Sequence, residues 1–478
     1  MSLLALSGTN SVSGGYDIDN SLKLEADNSE YMDRVITTQG NQKTFTISAW
    51  VKRTEVNSSV DGFGHTFFFG GAYGNEAVIL RFNTGTTSNV DALQIGIGIG
   101  TTQNRSYTQR KFRDTSAWYH IVLAVDTTQA TATDRFKLYV NGVLETEYAS
   151  RNNPAQNLDT GNNKAQSSTY LNNVGSYKSA GTVYGKFCGY IAEVYNIDGS
   201  ALAPTDFGEF DNDSGIWKPK EYTGSFPNNS FYLDFQDSSD LGAQAKGDDR
   251  NFTTYNITAA DQAVDTPTNN FCTLNPLMTN TGNFLAITEG ATRATNTVTA
   301  YKTAASTIGL SSGKWYWEVK LTNMNTITAM GVTMPYYWDG DFSFGGCVYY
   351  GQPAQRYNNS SASFYGATYA TGDIIGFALD MDATTPTMTC YKNGVSQGNL
   401  FENLSINGAG GAFLPPKEDF YFAKLVAYNT NVFDCNFGGY TAFTISSAAS
   451  DDNGYGTFEY APPSGYYAIC TKNLAEYG

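Results

Sequence analysis

The sequence predicts an all-β protein built from two β-sandwich domains, on three observations. The first is a hairpin written twice. Residues 118–143 read W-Y-H-I-V-L-A-V-D, a polar stretch, then F-K-L-Y-V-N-G-V; residues 373–395 read D-I-I-G-F-A-L-D-M-D, a polar stretch, then M-T-C-Y-K-N-G-V. Asn141-Gly142 and Asn393-Gly394 suit the positive φ angles of the type I′ turn that joins twisted antiparallel strands. The second is apolar alternation with a period of two, as in Phe45-Thr46-Ile47-Ser48-Ala49-Trp50-Val51, which half-buries a strand. The third is that helix formers nowhere gather into a long 3.6-period stretch; residues 471–476 amount to a turn at most.

In chain order, residues 1–20 are polar and glycine-containing and read as an arm that docks on a neighbour. The first domain spans 21–236, with strands at 45–51, 66–70, 78–82, 93–99, 119–125, 136–140, 187–195 and 231–235, separated by turn signals at sandwich spacing. Residues 237–275 concentrate charge, glycine and proline and lose the apolar runs, so they read as a linker. The second domain spans 276–440, with strands at 314–321, 329–333, 373–380, 387–392 and 420–427. The tail, 441–478, carries Pro462-Pro463-Ser464-Gly465 and reads as a segment that packs back on the body or mediates assembly.

The 478 residues are enough for two or three domains with their own cores. Charged residues make up only 15% and the net charge is −16, which argues against a nucleic-acid backbone as partner, and no basic stripe offers a local exception. The six cysteines are scattered without a C-x-x-C pair, so zinc-knuckle and thioredoxin motifs are unsupported, and buried free thiols are the expectation. The N-terminal M-S-L-L-A-L-S-G lacks the basic and long apolar regions of a signal peptide, and no apolar run reaches the roughly 20 residues of a membrane span. The expectation is synthesis and folding in a cytoplasm without membrane insertion. The N-x-S/T triplets at Asn251 and Asn256 carry no weight without a secretion signal.

Two family resemblances rest on these residues. F-T-I-S-A-W-V-K-R, W-Y-H-I-V, L-Y-V-N-G and F-C-G-Y-I-A-E-V-Y-N resemble laminin-G-like domains of the concanavalin A-like superfamily. S-G-K-W-Y-W-E-V-K-L, Met330-Gly331-Val332, T-G-D-I-I-G-F-A-L-D, Y-K-N-G-V and Asn436-Phe437-Gly438 resemble a SPRY domain, with several motifs in the family's order. The resemblance implies two tandem concanavalin A-like jelly-roll β-sandwiches. A laminin-G-like domain followed by a SPRY-like domain and a P-P-S-G-Y tail is similar to virion structural proteins of tailed bacteriophages, particularly marine ones. That implies an exposed tail fibre, knob or capsid-decorating component.

The chemistry of catalysis is thinly represented. Glucan-cleaving jelly rolls use Glu-x-Asp-x-x-Glu, which sets two carboxylates on one face. The nearest segment, Glu209-Phe210-Asp211-Asn212-Asp213-Ser214, has serine where the second glutamate belongs. Only His65 and His120 are present, His120 at a strand start where a hydrogen-bonded structural imidazole is expected. There is no G-x-S-x-G elbow, and the glycine pairs at 70–71, 345–346 and 410–411 precede no helix that would cradle phosphate. No other cofactor is expected. Laminin-G-like domains often hold calcium at the sandwich rim, and Asp206, Asp211 and Asp213 offer oxygen ligands at short spacing.

Binding through aromatic loops fits better. Tyr336, Tyr337, Trp338, Asp339 and Asp341 lie between two strand-like regions of the SPRY-like half, where family loops form a partner face. Their rings offer rigid contact area and a surface for sugars, against the alternative in which they pack under the loop. The function expected is therefore a non-enzymatic virion surface protein, made in the host cytoplasm, attaching to a host-surface glycan or protein. Its other partners are virion proteins, in an oligomer or multicopy array. The rival expectations are a glycan depolymerase on a jelly-roll scaffold and a cellular SPRY-type interaction module.

Overall fold

In a computed structural model of the chain, the alternation around Trp50 builds the ten-residue strand Thr44–Arg53. Phe45, Ile47, Ala49 and Val51 point into the core of the first unit, while Trp50 and Lys52 point to the other face and are buried there too. The structure describes residues 15–56, 62–74, 76–85, 88–98, 104–165, 170–247, 250–277, 283–325, 327–334, 346–358, 361–401 and 420–478. These divide into two units that part between Thr268 and Asn269.

The first unit is a sandwich of two antiparallel sheets. One runs Val143–Leu144, Phe136–Val140, Trp118–Asp126, Thr44–Arg53, Gly189–Asp198, Ser21–Leu24 and Gln262–Ala263, with Phe231–Leu233 and Lys246–Gly247 attached beside Gly189–Asp198. The other runs Tyr148–Ser150, Arg105–Lys111, Ala92–Ile97, Glu76–Phe82, His65–Ala72, Leu171–Val174, Tyr31–Val35 and Thr253–Tyr255. Phe68, Val78, Leu80, Ile95, Ile121 and Leu123 fill the space between them, each such side chain contributing roughly 1.5–3 kcal/mol when fully buried.

The second unit repeats the plan. Its first sheet runs Ala286–Thr288, Arg293–Asn296, Asn431–Asn436, Lys314–Met324, Ile374–Asp380, Thr387–Lys392 and Val395–Phe401. Its second runs Tyr301–Ala305, Phe422–Tyr428, Thr328–Thr333, Gly346–Tyr350, Gln355–Asn358 and Ser361–Phe364. Trp315, Trp317, Val319 and Leu321 face its core. The all-β, two-sandwich architecture is thus as the sequence predicts.

The turns of the twin hairpins agree in backbone angles and in one side-chain bond. Asn141 and Asn393 both have φ 48°, and Gly142 and Gly394 both have φ 76°. The Asn141 side-chain oxygen accepts the His120 N–H at 2.7 Å, and that of Asn393 accepts the Ile374 N–H at 2.8 Å. Each asparagine thus turns the chain and extends the ladder to the preceding strand. A Cβ at Gly142 would collide with the Trp217 ring, and one at Gly394 with the Tyr460 ring.

Three expected boundaries change. The segment 237–275 is not a linker up to Thr268: Lys246–Gly247, Thr253–Tyr255 and Gln262–Ala263 are strands of the first sandwich. Two of its charges are buried. Asp265 binds Lys52 at 2.7 Å and accepts the Trp118 indole N–H at 3.0 Å, and Asp261 binds Lys23 at 2.8 Å. Residues 269–275 belong to the second unit, where Cys272 N–H donates to the Ile469 carbonyl. Of the expected arm, residues 1–14 lie outside the described residues. The rest docks on its own unit, Tyr16 on Glu193 and Ile18 on Thr268.

The tail packs on the second unit. The buried Glu318 carboxylate accepts the backbone N–H groups of Glu459 and Tyr460 at 2.9 and 2.8 Å, and Tyr467–Ala468 pairs with Lys314–Met324 in parallel. Residues Thr471–Tyr477 form an α-helix rather than a single turn. Tertiary anchoring explains it: the buried Asn473 amide donates to Asp451 at 2.7 Å, and Tyr477 stacks on Tyr467. Among the described residues no helix is long and apolar enough to cross a membrane.

Removing the acid partner of a buried lysine leaves an uncompensated charge. Asp265→Ala is expected to cost the first unit about 3–5 kcal/mol in urea unfolding. Asn393→Ala is expected to cost the second unit about 2 kcal/mol, from the left-handed backbone and the lost hydrogen bond. Asn393→Gly should cost less, because glycine accepts that backbone.

Candidate functional site

The strands that bracket the aromatic segment meet at one end of the six-stranded sheet. Thr333 pairs with Gly346 on one side and with Phe422 on the other. Thr333 and Gly346 thus end their strands beside Phe422, and Leu310 bridges Tyr421 at the same end. At this end of the sheet Val332, Cys347 and Tyr421 are almost wholly buried. Tyr336, Tyr337, Trp338, Asp339 and Asp341 themselves lie outside the described residues.

The acidic candidates of the first unit are engaged in local turns. Gly208–Phe210 and Trp217–Pro219 form a small hairpin. At its tip Asp211 Oδ1 accepts the N–H groups of Asp213 and Ser214 and the Ser214 hydroxyl, while Oδ2 faces Lys218 Nζ at 3.3 Å. The Ser214 N–H, above all, holds the Asp211 carboxyl down at about 2. Asp206 instead caps the short turn Pro204–Asp206 by accepting the Ala203 N–H at 3.0 Å. The expected calcium set is thus not brought together: among the described residues, Asp206, Asp211 and Asp213 do not form a group whose oxygens converge. Glu209 faces Lys218 at 3.5 Å.

His120 is a structural group. Its ring lies between Trp50 and Trp217, Nδ1 accepts the Trp217 indole N–H at 2.9 Å, and Nε2 stands 2.8 Å from the Ser48 hydroxyl. Burial pushes its pKa down to about 3, so it is neutral and donates through Nε2 to Ser48. All six cysteines are buried free thiols.

Two constellations escape sequence reasoning. Glu193 sits at φ 53° where the pairing of Gly189–Asp198 with Thr44–Arg53 shifts register. Its buried carboxylate accepts the hydroxyls of Tyr232 at 2.6 Å, Tyr195 at 2.8 Å and Tyr16 at 3.1 Å. The available signal was one acid inside the apolar run Gly189-Tyr190-Ile191-Ala192-Glu193-Val194-Tyr195. The other is Glu25, Glu55 and Cys188, whose ligand atoms lie within 4.8 Å of one another. They are too far apart in sequence for any spacing rule to join.

Burial pushes the Glu193 carboxyl up from 4.5 to about 7, against the pull of the three phenol donors. The folded state then holds a proton that the unfolded chain has released. Its contribution is complete below the ordinary carboxyl pKa and is lost as pH rises from about 4.5 to 7. Glu193→Gln, neutral at every pH, is expected to flatten that decline by roughly 1–3 kcal/mol in urea titrations at pH 5 and pH 8.

In comparison with known proteins, a family model matches part of each unit. Residues 26–180 match the family model of the concanavalin A-like lectin/glucanases superfamily. Residues 314–415 match that of the SPRY domain. Among solved structures, the SPRY domain of human HERC1 is similar at 19% identity, covering 31% of this chain and 89% of that one, with a TM-score of 0.26. A putative carbohydrate binding protein from Bacteroides ovatus is similar at 19% identity, covering 50% of this chain and 58% of that one, with a TM-score of 0.33. The protein therefore carries a concanavalin A-like domain followed by a SPRY domain.

Proposed function

We propose that this protein is a non-enzymatic surface component of a tailed-phage virion, a tail fibre, knob or capsid decoration, that attaches the particle to a host glycan or protein. The observation that carries the reading is the convergence of strand ends at Thr333, Gly346 and Phe422. The strands that flank the aromatic-rich segment in sequence end on a buried part of the sheet, and binding residues commonly belong to segments that join such strands. Individual contacts of this kind are shallow, and many copies on one particle raise the effective concentration enough for firm attachment. The absence of enzymatic work is supported by the carboxylates of the 209–214 segment, whose described contacts serve their own turn. The virion setting is supported by the order of the two modules.

Purified particles are expected to contain the protein by mass spectrometry, and labelled antibody should decorate intact particles in electron micrographs. The isolated full chain should be retained on host-surface glycan or protein, and Trp338→Ala should weaken that retention about tenfold. Release of reducing ends from bacterial polysaccharide, abolished by changing one acid pair, would instead establish a depolymerase.

A further inference from the structure

Independently of attachment, the first unit holds a built constellation of metal-binding side chains. We propose that Glu25, Glu55 and Cys188, closed by the hydroxyl of Thr54, bind a single zinc ion. The backbone register puts these groups together. Leu24 pairs with Gly189, and Gly189 pairs with Arg53, so one step further Cys188 lies opposite Glu25 on one side and opposite Thr54 on the other. The Thr54 N–H to Cys188 carbonyl bond continues that register. Directly opposed residues of antiparallel strands share a face. Arg53 points into the core, so Thr54, Cys188 and Glu25 share the opposite face.

The geometry suits a small tetrahedral ion. The donor atoms of Glu25, Glu55 and Cys188 all lie within 4.8 Å of one another. Donors on a tetrahedral zinc stand roughly 3–4 Å apart, given bonds of about 2.0–2.3 Å, so side-chain rotation suffices to close the set. The Cys188 thiol already donates to Glu25 Oε1 at 3.4 Å. Binding would replace that proton by the metal, releasing it to solvent as the sulfur becomes a thiolate ligand.

An independent observation points the same way. Thr54 is 2% exposed, yet its hydroxyl oxygen makes no hydrogen bond. A buried hydroxyl without a partner is costly unless something satisfies it, and an ion seated beside Cys188 would do so. Burial and the neighbouring Glu25 and Glu55 push the Cys188 thiol well up, so the charge of the ion itself must displace the proton; the Ala26 N–H donates to Cys188 Sγ at 3.4 Å, and His65 Nδ1 fixes the Cys188 backbone by accepting its N–H at 3.3 Å. A sulfur donor among carboxylates selects zinc over calcium, which takes six to eight oxygens.

The full chain, stripped with a chelator, should be titrated with cobalt(II) and then zinc. The expected result is one cobalt per chain, a sulfur-to-cobalt charge-transfer band, and its loss on addition of one equivalent of zinc. Cys188→Ser should abolish the band, and Thr54→Val, which keeps the shape of the side chain, should weaken zinc binding about tenfold. Circular dichroism of each variant separates loss of ligand from loss of fold. Cobalt binding without a sulfur band in the unmodified protein would overturn the proposal. So would a band that survives in Cys188→Ser, or no saturable binding of either metal.

Discussion

Charge buried on the outer faces of the central strands is the constraint on which both units depend. Lys23 and Lys52 point away from the first core and are still almost wholly inaccessible. A lysine in that position is tolerable only if an acid reaches it. Lys23 is met by the nearby Glu30 and by Asp261, and Lys52 by Asp265; the backbone that brings the two aspartates also supplies strands to both sheets. The second unit inverts the signs. There the buried group is Glu318, and the returning tail satisfies it with two backbone N–H groups. In each unit a polar stretch is folded over a sandwich and meets charge buried on its strands.

That constraint also explains what could be read from the sequence and what could not. The two hairpins were legible because Asn-Gly acts on its own neighbours, and the structure repeats the same angles and the same side-chain bond at both. The apolar strands were legible because their period is local. The stretch 237–268 was not, because its charges look solvated until Lys52 is placed beside Asp265, and those two residues are separated by 213 positions. The terminal helix was hidden for the same reason, its stability residing in the contacts of Asn473 and Tyr477 rather than in propensity.

The site was less legible than the fold. Aromatic composition singled out the 336–341 segment, and the described strands nearest to it in sequence, ending at Thr333 and starting at Gly346, pair with one another. The three aspartates near 211 had the right chemistry in the wrong geometry, since a turn consumes Asp211 before an ion reaches it. Glu193 and the Glu25–Glu55–Cys188 group draw their properties from neighbours in other strands, and no local pattern encodes that.

The distance between Lys52 and Asp265 also sets a timetable for synthesis. A chain emerging from the ribosome acquires every apolar strand of the first sandwich well before residue 265 appears. Until then the nascent sheets have their oily filling but lack the Asp265 carboxylate beside Lys52, and have open edges beside Ser21–Leu24 and Tyr31–Val35. Closure waits for the last thirty or so residues of the unit, and translation at about 5–20 residues per second makes that wait a matter of seconds. During it, those unpaired strands are the surface most in need of shielding from other newborn chains.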